Sequence, residues 1–416
     1  MTALQPALST SEIGALTSLR APLAWWVVIY HLAAPSYWLG QFMAPGLVFD
    51  LVGCGYVAVD IFFLLSGYIL GRVYADIAHG QWRAYAVARI ARLWPLHLFA
   101  LLLCLPFVLR GDWGWWLPVM LAVCAMGIQA WIPPWSLAIN PPAWSIADEA
   151  FFAAIFPACQ RILRLVTRPI LLIGMIVVAW LAGLIFTWAV AHGSVAWTWS
   201  AVESHGPTNA WDNFVRFFPL LRVTEFFAGM ALAAWHRQVG GRGDGRWLVP
   251  LGLILLLAPL TFVGNEIPYL LVHNGLLLPG AAALIIGLCD RRWDGTWLCH
   301  PLALLLGRAS FAMYLLHTPV LMLCNSLFKH FSAGWDPGLL CKIITYLVLV
   351  QASAVLAHLW IEEPARRFVR RRFSPGETSV AKDAKLAGAP PLADSTSSIP
   401  VSAPITTKGK SCDSAG

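Results

Sequence analysis

The stretch PILLIGMIVVAWLAGLIFTWAVAH, residues 169–192, decides the fold class of this sequence. It contains no Asp, Glu, Lys or Arg, and it is longer than the ~20 residues that an α-helix needs to cross a bilayer. Comparable apolar blocks lie at 247–264, 268–289 and 339–361. The strands of a transmembrane barrel would be ~10 residues long and alternate in polarity, whereas these blocks are continuously apolar. The sequence therefore predicts an all-α, polytopic membrane protein.

The composition agrees with a chain embedded in lipid. Of the 416 residues, 59% are hydrophobic and 12% are charged, whereas a soluble domain carries ~25% charged residues. The net charge of +7 does not indicate a nucleic-acid partner, because Lys and Arg lie in short runs at the ends of apolar blocks, as in cytoplasmic loops. The nine Cys form no C-x-x-C pair and no metal-ligand spacing with His, so we expect neither a disulfide framework nor a metal site.

A membrane topology follows from reading the apolar blocks against the basic clusters. The blocks predict about ten transmembrane helices at 16–36, 54–74, 93–109, 145–163, 169–192, 218–236, 247–264, 268–289, 307–328 and 339–361. Both termini are then cytoplasmic, with residues 1–13 as an N-terminal segment and the first span as a retained anchor, because no signal-peptide pattern precedes it. Residues 374–416, rich in Ser, Thr, Pro, Ala and Gly, predict a disordered cytoplasmic tail.

One further apolar segment, residues 113–133, does not fit the alternation of basic loops. A full crossing there would place the basic cluster at 161–168 outside the cell. Pro118, Pro133 and Pro134 favour a short re-entrant or interfacial hairpin, and the Trp residues of this segment are typical of the membrane interface. The alternative is an eleventh crossing that violates the charge rule.

His31 is the most informative polar residue, because ionisable side chains within a span are expensive and mark functional sites. It lies eleven residues beyond Arg20. Eleven residues make about three helical turns, so the two side chains leave the helix on nearly one face, ~16 Å apart along its axis. A guanidinium near the surface suits a phosphate, and a neutral imidazole at depth suits a general base. The alternative is structural: Arg20 snorkels to the headgroups and His31 bonds to a buried carbonyl.

Charged residues in two other spans predict ion pairs. Asp60 enters an apolar helix and needs a partner such as an Arg. Arg222 and Glu225 stand three residues apart at the start of another apolar helix, which is the spacing of a helical ion pair. We interpret the second pair as structural.

Hydroxyl and imidazole side chains mark two more segments. Ser145 is predicted to cap a helix whose first turn carries Asp148 and Glu149. Ser310, Tyr314 and His317 follow one another at i, i+4 and i+7, and this polar stripe must face protein or water. Side chains on one helix rarely point at a common atom, so we interpret the stripe as pocket lining or packing and do not expect a Ser-His nucleophile.

At these residues the chain resembles the acyltransferase 3 family of bacterial membrane acyltransferases, over about residues 14–368. The resemblance implies that residues 14–368 form a single transmembrane acyltransferase domain. The family's motifs are matched, in chain order, by Arg20 and His31, by 59–63 with Ser66 and Gly67, by Arg89, Arg92 and Pro95, by Trp144, Ser145 and Glu149, by Arg222, Glu225, Phe226 and Gly229, by Gly307, Ser310, Tyr314, Leu315 and His317, and by 362–364. Each motif is weak alone, but their joint order over most of the chain is specific.

The resemblance implies roles for these residues. His31 is expected to be catalytic, and Glu149 is expected to orient its imidazole or to neutralise an arginine. The residues expected to hold the phosphates of acyl-CoA are Arg20, Arg72, Arg89 and Arg92. The residues expected to line the pocket are Asp60, Ser66, Trp144, Ser145, Ser310, Tyr314 and His317.

The resemblance also implies an activity: transfer of an acyl group, acetyl in most of the family, from acyl-CoA to a carbohydrate hydroxyl in the bacterial inner membrane. Acyl-CoA is a donor substrate, and no permanently bound cofactor is expected. The expected partners are the bilayer, a surface polysaccharide or exopolysaccharide or its lipid-linked precursor, and proteins of polysaccharide synthesis or export. Two rival interpretations are a carrier or flippase for a glycolipid intermediate and an inert scaffold, since polar stripes inside a bundle serve transport equally well.

Overall fold

The structure, a computed structural model, describes residues 13–34, 38–39, 46–77, 81–111, 114–192, 210–240, 245–262, 267–331 and 338–373. These residues are almost entirely helical, and no β-strand occurs among them. The all-α prediction is confirmed for this part of the chain. The predictions of a cytoplasmic segment at the N-terminus and of a disordered tail at 374–416 fall outside the described residues, except for Ile13.

Fifteen α-helices occur in the described residues. They are α1 (Gly14–Leu32), α2 (Leu47–Gly53), α3 (Val57–Val73), α4 (Trp82–Val108), α5 (Leu117–Ala125), α6 (Trp144–Leu165), α7 (Pro169–Ala191), α8 (Ala210–Phe217), α9 (Pro219–Gln238), α10 (Leu248–Phe262), α11 (Tyr269–His273), α12 (Leu278–Leu288), α13 (Pro301–Phe331), α14 (Gly338–Ala357) and α15 (Glu363–Phe373). A π-helical turn, His358–Glu362, joins α14 to α15.

Each of the ten predicted spans overlaps with helical residues, and the span at 268–289 contains two helices, α11 and α12. Not every predicted span has the length and composition that a crossing needs. Among the described residues, six helices are long and apolar enough to cross a membrane, and the bent pair of α2 and α3 adds a seventh if it counts as one span. The three others are α1, which carries Arg20; α6, which carries two acids; and α10, which has 15 residues. Length and apolarity alone therefore support six or seven crossings.

Two local predictions concern the segment that precedes α6. The ambiguous residues 114–133 contain a continuous helical stretch of only 12 residues, Gly114–Ala125, which spans ~18 Å and is too short for the ~30 Å hydrocarbon core. The predicted cap at Ser145 is wrong. A 3₁₀ turn, Pro141–Ala143, leads directly into α6, so Ser145 already lies inside the helix, and its hydroxyl donates to the carbonyl of Pro142 (3.2 Å).

Small residues fix the two closest helix crossings of the bundle. A Cβ on Gly67 of α3 would collide with the carbonyl oxygen of Phe226 on α9, and a Cβ on Gly229 of α9 would collide with the carbonyl oxygen of Leu64 on α3. Gly307 has the same role where α13 crosses α1. Backbones approach this closely only where no side chain intervenes, as is usual between membrane helices. Three glycines of the sequence motifs therefore position helices.

The bundle has an interior and a periphery. In the most apolar part of residues 210–238, 72% of the residues are buried. In the most apolar part of α7, only 17% of the residues are buried. The helix pairs with the largest interfaces are α3 with α9, α1 with α13, α7 with α9, α10 with α12, and α13 with α14. Helices α1, α3 and α13, which carry most of the predicted site residues, thus lie in the packed part of the bundle, and α7 lies at its periphery.

Candidate active site

A small cavity between α1, α3, α4 and α6 brings together three of the arginines that the sequence singled out. Its lining consists of Arg20, Phe62, Leu65, Ser66, Ile69, Leu70, Arg89, Arg92 and Glu149. Arg89 is buried and forms an ion pair with Glu149 (3.3 Å). Three guanidinium groups and one carboxylate give the lining an excess of positive charge, which suits a polyanion such as a phosphate or pyrophosphate.

Not every predicted phosphate ligand lies in this cavity. Arg72, at the C-terminal end of α3, lies beside Tyr68 and is not part of the lining. Tyr68 in turn is hydrogen-bonded to Nδ1 of His236 (2.6 Å) and to Sγ of Cys289 (3.1 Å). Because Ser66 and Arg72 are six residues apart on one helix, they project in different directions. The structure thus groups Arg20, Arg89 and Arg92 and leaves Arg72 in a neighbouring polar cluster.

His31 lies in the same helix as Arg20, about three turns further along, with its side chain partly buried against α13. Its Nδ1 is 2.9 Å from the carbonyl oxygen of Val27, the residue four positions earlier. Its ring centre is 4.7 Å from that of His317 and 4.8 Å from that of Tyr30. The contact with a buried carbonyl that the structural interpretation of His31 predicts is therefore present. The imidazole of His31 also faces a second imidazole, that of His317.

The polar stripe of α13 faces the interior, as predicted. Ser310 and His317 are buried, and Tyr314 donates from its hydroxyl to the carbonyl of Pro142 (3.0 Å). The side chain of Asn140 donates to the carbonyl of Leu315 (3.1 Å). These two bonds attach the 3₁₀ turn before α6 to the middle of α13. Ser145, which donates to the same Pro142 carbonyl, is thereby held close to Tyr314.

Asp60 and Trp144 belong to a third group, centred on the fully buried Arg222. The guanidinium of Arg222 contacts the carboxylate of Asp60 and lies 3.1 Å from that of Glu225. It also donates to Oδ1 of Asn274 (2.8 Å) and lies within 6 Å of the ring of Trp144. The predicted pairing of Asp60 with an arginine and that of Arg222 with Glu225 are both confirmed. These residues tie α3, α9 and α11 together and do not line the arginine cavity.

The comparison with known families gives this arrangement its context. The family model described as "Acyltransferase domain", that of acyltransferase 3, matches residues 13–359. The chain belongs to the acyltransferase 3 family. It is similar to Acyltransferase MdmB of Streptomyces mycarofaciens, with 28% identity over 384 residues that cover 87% of this chain and 93% of the relative. No solved structure matches the chain. The protein is therefore an acyltransferase.

Two further residues of this acyltransferase, to which the sequence assigned no role, lie near its arginine cavity. Glu362 is buried and lies close enough to Arg20 and Arg92 to interact with both electrostatically. Nδ1 of the buried His358 is 2.9 Å from a carboxylate oxygen of Glu362. Both belong to the π-helical turn after α14, and such turns often occur at functional sites. The motif at 362–364 pointed to Glu362, and no sequence signal pointed to His358.

A metal centre is not indicated at any of these places. The described residues contain no group of three or more His, Cys, Asp or Glu side chains arranged to hold an ion. The chemistry available to this acyltransferase from its own side chains is thus that of imidazoles at depth, guanidinium groups at one end of the bundle, and the hydroxyls of Ser145 and Tyr314 between helices.

Proposed function

We propose that this acyltransferase moves an acetyl group from acetyl-CoA to a hydroxyl of a carbohydrate in the bacterial inner membrane. The observation that carries the proposal is the geometry of α1: Arg20 faces a cavity with excess positive charge, and His31 lies about three turns along the same helix. The family membership supports acyl transfer. This geometry and the resemblance support the proposed donor, and the resemblance alone supports the acetyl group and the carbohydrate acceptor.

The arginine cavity is the proposed site for the phosphates of the donor. Arg20, Arg89 and Arg92 come from two helices, α1 and α4, and a charge-assisted bond from each to a phosphate oxygen is stronger than a neutral hydrogen bond. From there the pantetheine arm extends along α1. The ~16 Å between Arg20 and His31 is close to the reach of an extended arm, so the thioester arrives at the imidazole.

His31 is the proposed catalytic imidazole. Its Nδ1 is placed to donate to the Val27 carbonyl, which leaves Nε2 as the basic nitrogen. At the thioester this nitrogen either transfers the proton of the attacking hydroxyl or briefly carries the acyl group. In the first route the hydroxyl oxygen bonds to the thioester carbon as the carbon–sulfur bond breaks. In the second route the carbon–sulfur bond breaks when the imidazole is acylated, and the ester forms when the hydroxyl displaces the imidazole. In both routes the proton lost by the hydroxyl ends on the CoA thiolate. Glu149 neutralises Arg89 in this scheme.

We propose a topology of ten crossings with both termini in the cytoplasm. Arg20 near the start of α1, Arg92 in the first half of α4 and Glu362 after α14 interact with one another, so these three ends lie on one side of the bundle. An even number of crossings between Arg20 and Glu362 satisfies this arrangement. The bent pair α2 and α3 counts as one crossing in this scheme, and 114–143 remains on the outer side.

The proposed acceptor is a surface polysaccharide or exopolysaccharide, or its lipid-linked precursor, with proteins of polysaccharide synthesis or export as partners. A polysaccharide hydroxyl is a poor nucleophile at neutral pH, which is why the reaction needs a buried base. The flippase interpretation makes a different prediction, because a flippase leaves acetyl-CoA intact.

The test uses the purified full-length protein in lipid nanodiscs with acetyl-CoA labelled in the acetyl group and glycerol as the acceptor alcohol. The wild type should release free CoA, and His31→Ala should reduce this rate by about 10²-fold or more, the usual contribution of a general base. His192→Ala, an exposed histidine at the end of α7, serves as the control and should keep the wild-type rate. Normal turnover by His31→Ala that is folded and inserted would exclude the mechanism. Intact acetyl-CoA with the wild type would exclude the donor.

A further inference from the structure

His317 faces His31 across the interface of α1 and α13. The two ring centres are 4.7 Å apart, and the ring planes are tilted by 53°. His317 is fully buried, and its own backbone carbonyl accepts a bond from the hydroxyl of Tyr346 on α14 (3.3 Å). His317 therefore lies where α13 contacts both α1 and α14.

Both imidazoles have the same protonation pattern. Nδ1 of His317 is 2.6 Å from the carbonyl oxygen of Tyr314, and Nδ1 of His31 is 2.9 Å from that of Val27. A carbonyl oxygen accepts and cannot donate, so it assigns the proton of each neutral ring to Nδ1. Each ring therefore keeps a lone pair on Nε2. Two neutral bases lie side by side in the interior.

The Nε2 atom of His317 has no hydrogen-bonding partner in the described part of the chain, although it is completely buried. A buried acceptor left without a donor is unfavourable, and protein interiors normally avoid it. The atom is thus a site for an O–H or N–H group of a bound molecule. A hydroxyl beside His31 is the group that the proposed reaction needs.

We propose that His317 is the base that receives the acceptor hydroxyl, and that His31 serves the donor side of the same reaction. This inference rests on the proposed function. The hydroxyl oxygen bonds to the carbonyl carbon of the thioester as its proton moves to Nε2 of His317, and the electron pair of the broken carbon–sulfur bond leaves with CoA. The proton passes through His31 to the thiolate sulfur, which restores two neutral imidazoles.

The spacing of the rings fits a shared single proton. Two imidazolium ions this close repel each other strongly in a medium of low dielectric constant, so the pair holds one extra proton at a time. A proton taken up at one ring is therefore readily passed to the other and on to the leaving group.

The test compares two nucleophiles with acetyl-CoA in nanodiscs: glycerol, an alcohol that needs a base, and hydroxylamine, which attacks without one. His317→Asn keeps a donor at the position of Nδ1 and removes Nε2. We expect this variant to lose about 10²-fold in the rate of glycerol acetylation, the size of a general-base contribution. Hydroxylamine acetylation and the KM for acetyl-CoA should stay within about threefold of the wild type, because the donor side is intact.

The control is His97→Gln, which alters another fully buried histidine whose Nε2 bonds to the carbonyl of Cys124 (2.7 Å). Both of its rates should equal those of the wild type. Undiminished glycerol acetylation by folded His317→Asn overturns the inference, and so does an equal loss with both nucleophiles. A wild type that releases no CoA with either nucleophile overturns the proposed function as well, which is a different outcome from the first two.

Discussion

Two groups of charged side chains around arginines lie in the same bundle, and they differ in how their charge is balanced. Around Arg222, the carboxylates of Asp60 and Glu225 contact the guanidinium directly, and all three side chains are buried. These carboxylates outnumber the single guanidinium, so its charge is matched within the protein. Around the cavity, Arg20, Arg89 and Arg92 share the lining with the carboxylate of Glu149, and Glu362 interacts with two of them from nearby. Three guanidinium groups then face two carboxylates, so this second group is unmatched and keeps an excess of positive charge.

A buried arginine in a membrane protein can be interpreted from the carboxylates around it. Burial of the charge alone does not indicate a ligand site, because Arg222 is the most completely buried of these arginines and its partners are all parts of the protein. A matched group stabilises the fold, and removing one member leaves a buried charge without a partner. An unmatched group in a cavity suits an anion, which is the role that we propose for the arginine cavity.

The largest expected effect is at the matched group. Arg222→Met leaves the carboxylates of Asp60 and Glu225 buried without a cation, which should lower the free energy of unfolding by about 3–5 kcal/mol. We expect little folded protein after extraction into mild detergent, measured by size-exclusion chromatography with tryptophan fluorescence after heating. The triple variant Arg222→Met, Asp60→Asn, Glu225→Gln removes all three charges and should recover part of the folded protein. Equal stability of Arg222→Met and wild type would contradict a structural role.

A smaller effect is expected at the unmatched group. Arg92→Gln removes one cation from the cavity and one charge-assisted contact to the donor, which contributes about 1.5–3 kcal/mol. The KM for acetyl-CoA should therefore rise about 10- to 100-fold, with a melting temperature near that of the wild type. The measurement is CoA release in nanodiscs at several acetyl-CoA concentrations. Arg161→Gln, an exposed arginine of α6, is the control. If Arg92→Gln is destabilised and its KM is unchanged, the arginines of the cavity stabilise the fold, as Arg222 does, and do not bind the donor.

The sequence predicted those features of both groups that depend on local spacing. The pairing of Arg222 with Glu225 needs only two positions on one helix, and the shared helix of Arg20 and His31 needs only an uninterrupted apolar block. The need of Asp60 for a cation also follows from its place in an apolar span. The identity of that cation does not, because Arg222 stands 162 residues away on another helix.

The features that the sequence could not predict depend on helix packing or on irregular backbone. The contact between His31 and His317 is set by the crossing of α1 and α13, which Gly307 permits. The placement of Glu362 beside the cavity depends on a π-helical turn, and hydrophobic periodicity does not reveal such a turn. The predicted cap at Ser145 failed for a similar reason, since the 3₁₀ turn before it changes where the helix begins.

The smallest expected effect distinguishes the two roles that the sequence left open for Glu149. The carboxylate is paired with Arg89 at 3.3 Å, so the structure favours neutralisation of an arginine over orientation of the proposed catalytic imidazole. Glu149→Gln then raises the net positive charge of the cavity by one. Since this carboxylate no longer competes with the donor phosphates for Arg89, the KM for acetyl-CoA should fall about two- to fivefold, which corresponds to about 1 kcal/mol or less, with kcat nearly unchanged. A large loss of kcat at constant KM would instead show that Glu149 stabilises the transition state, as expected if it orients the imidazole of His31.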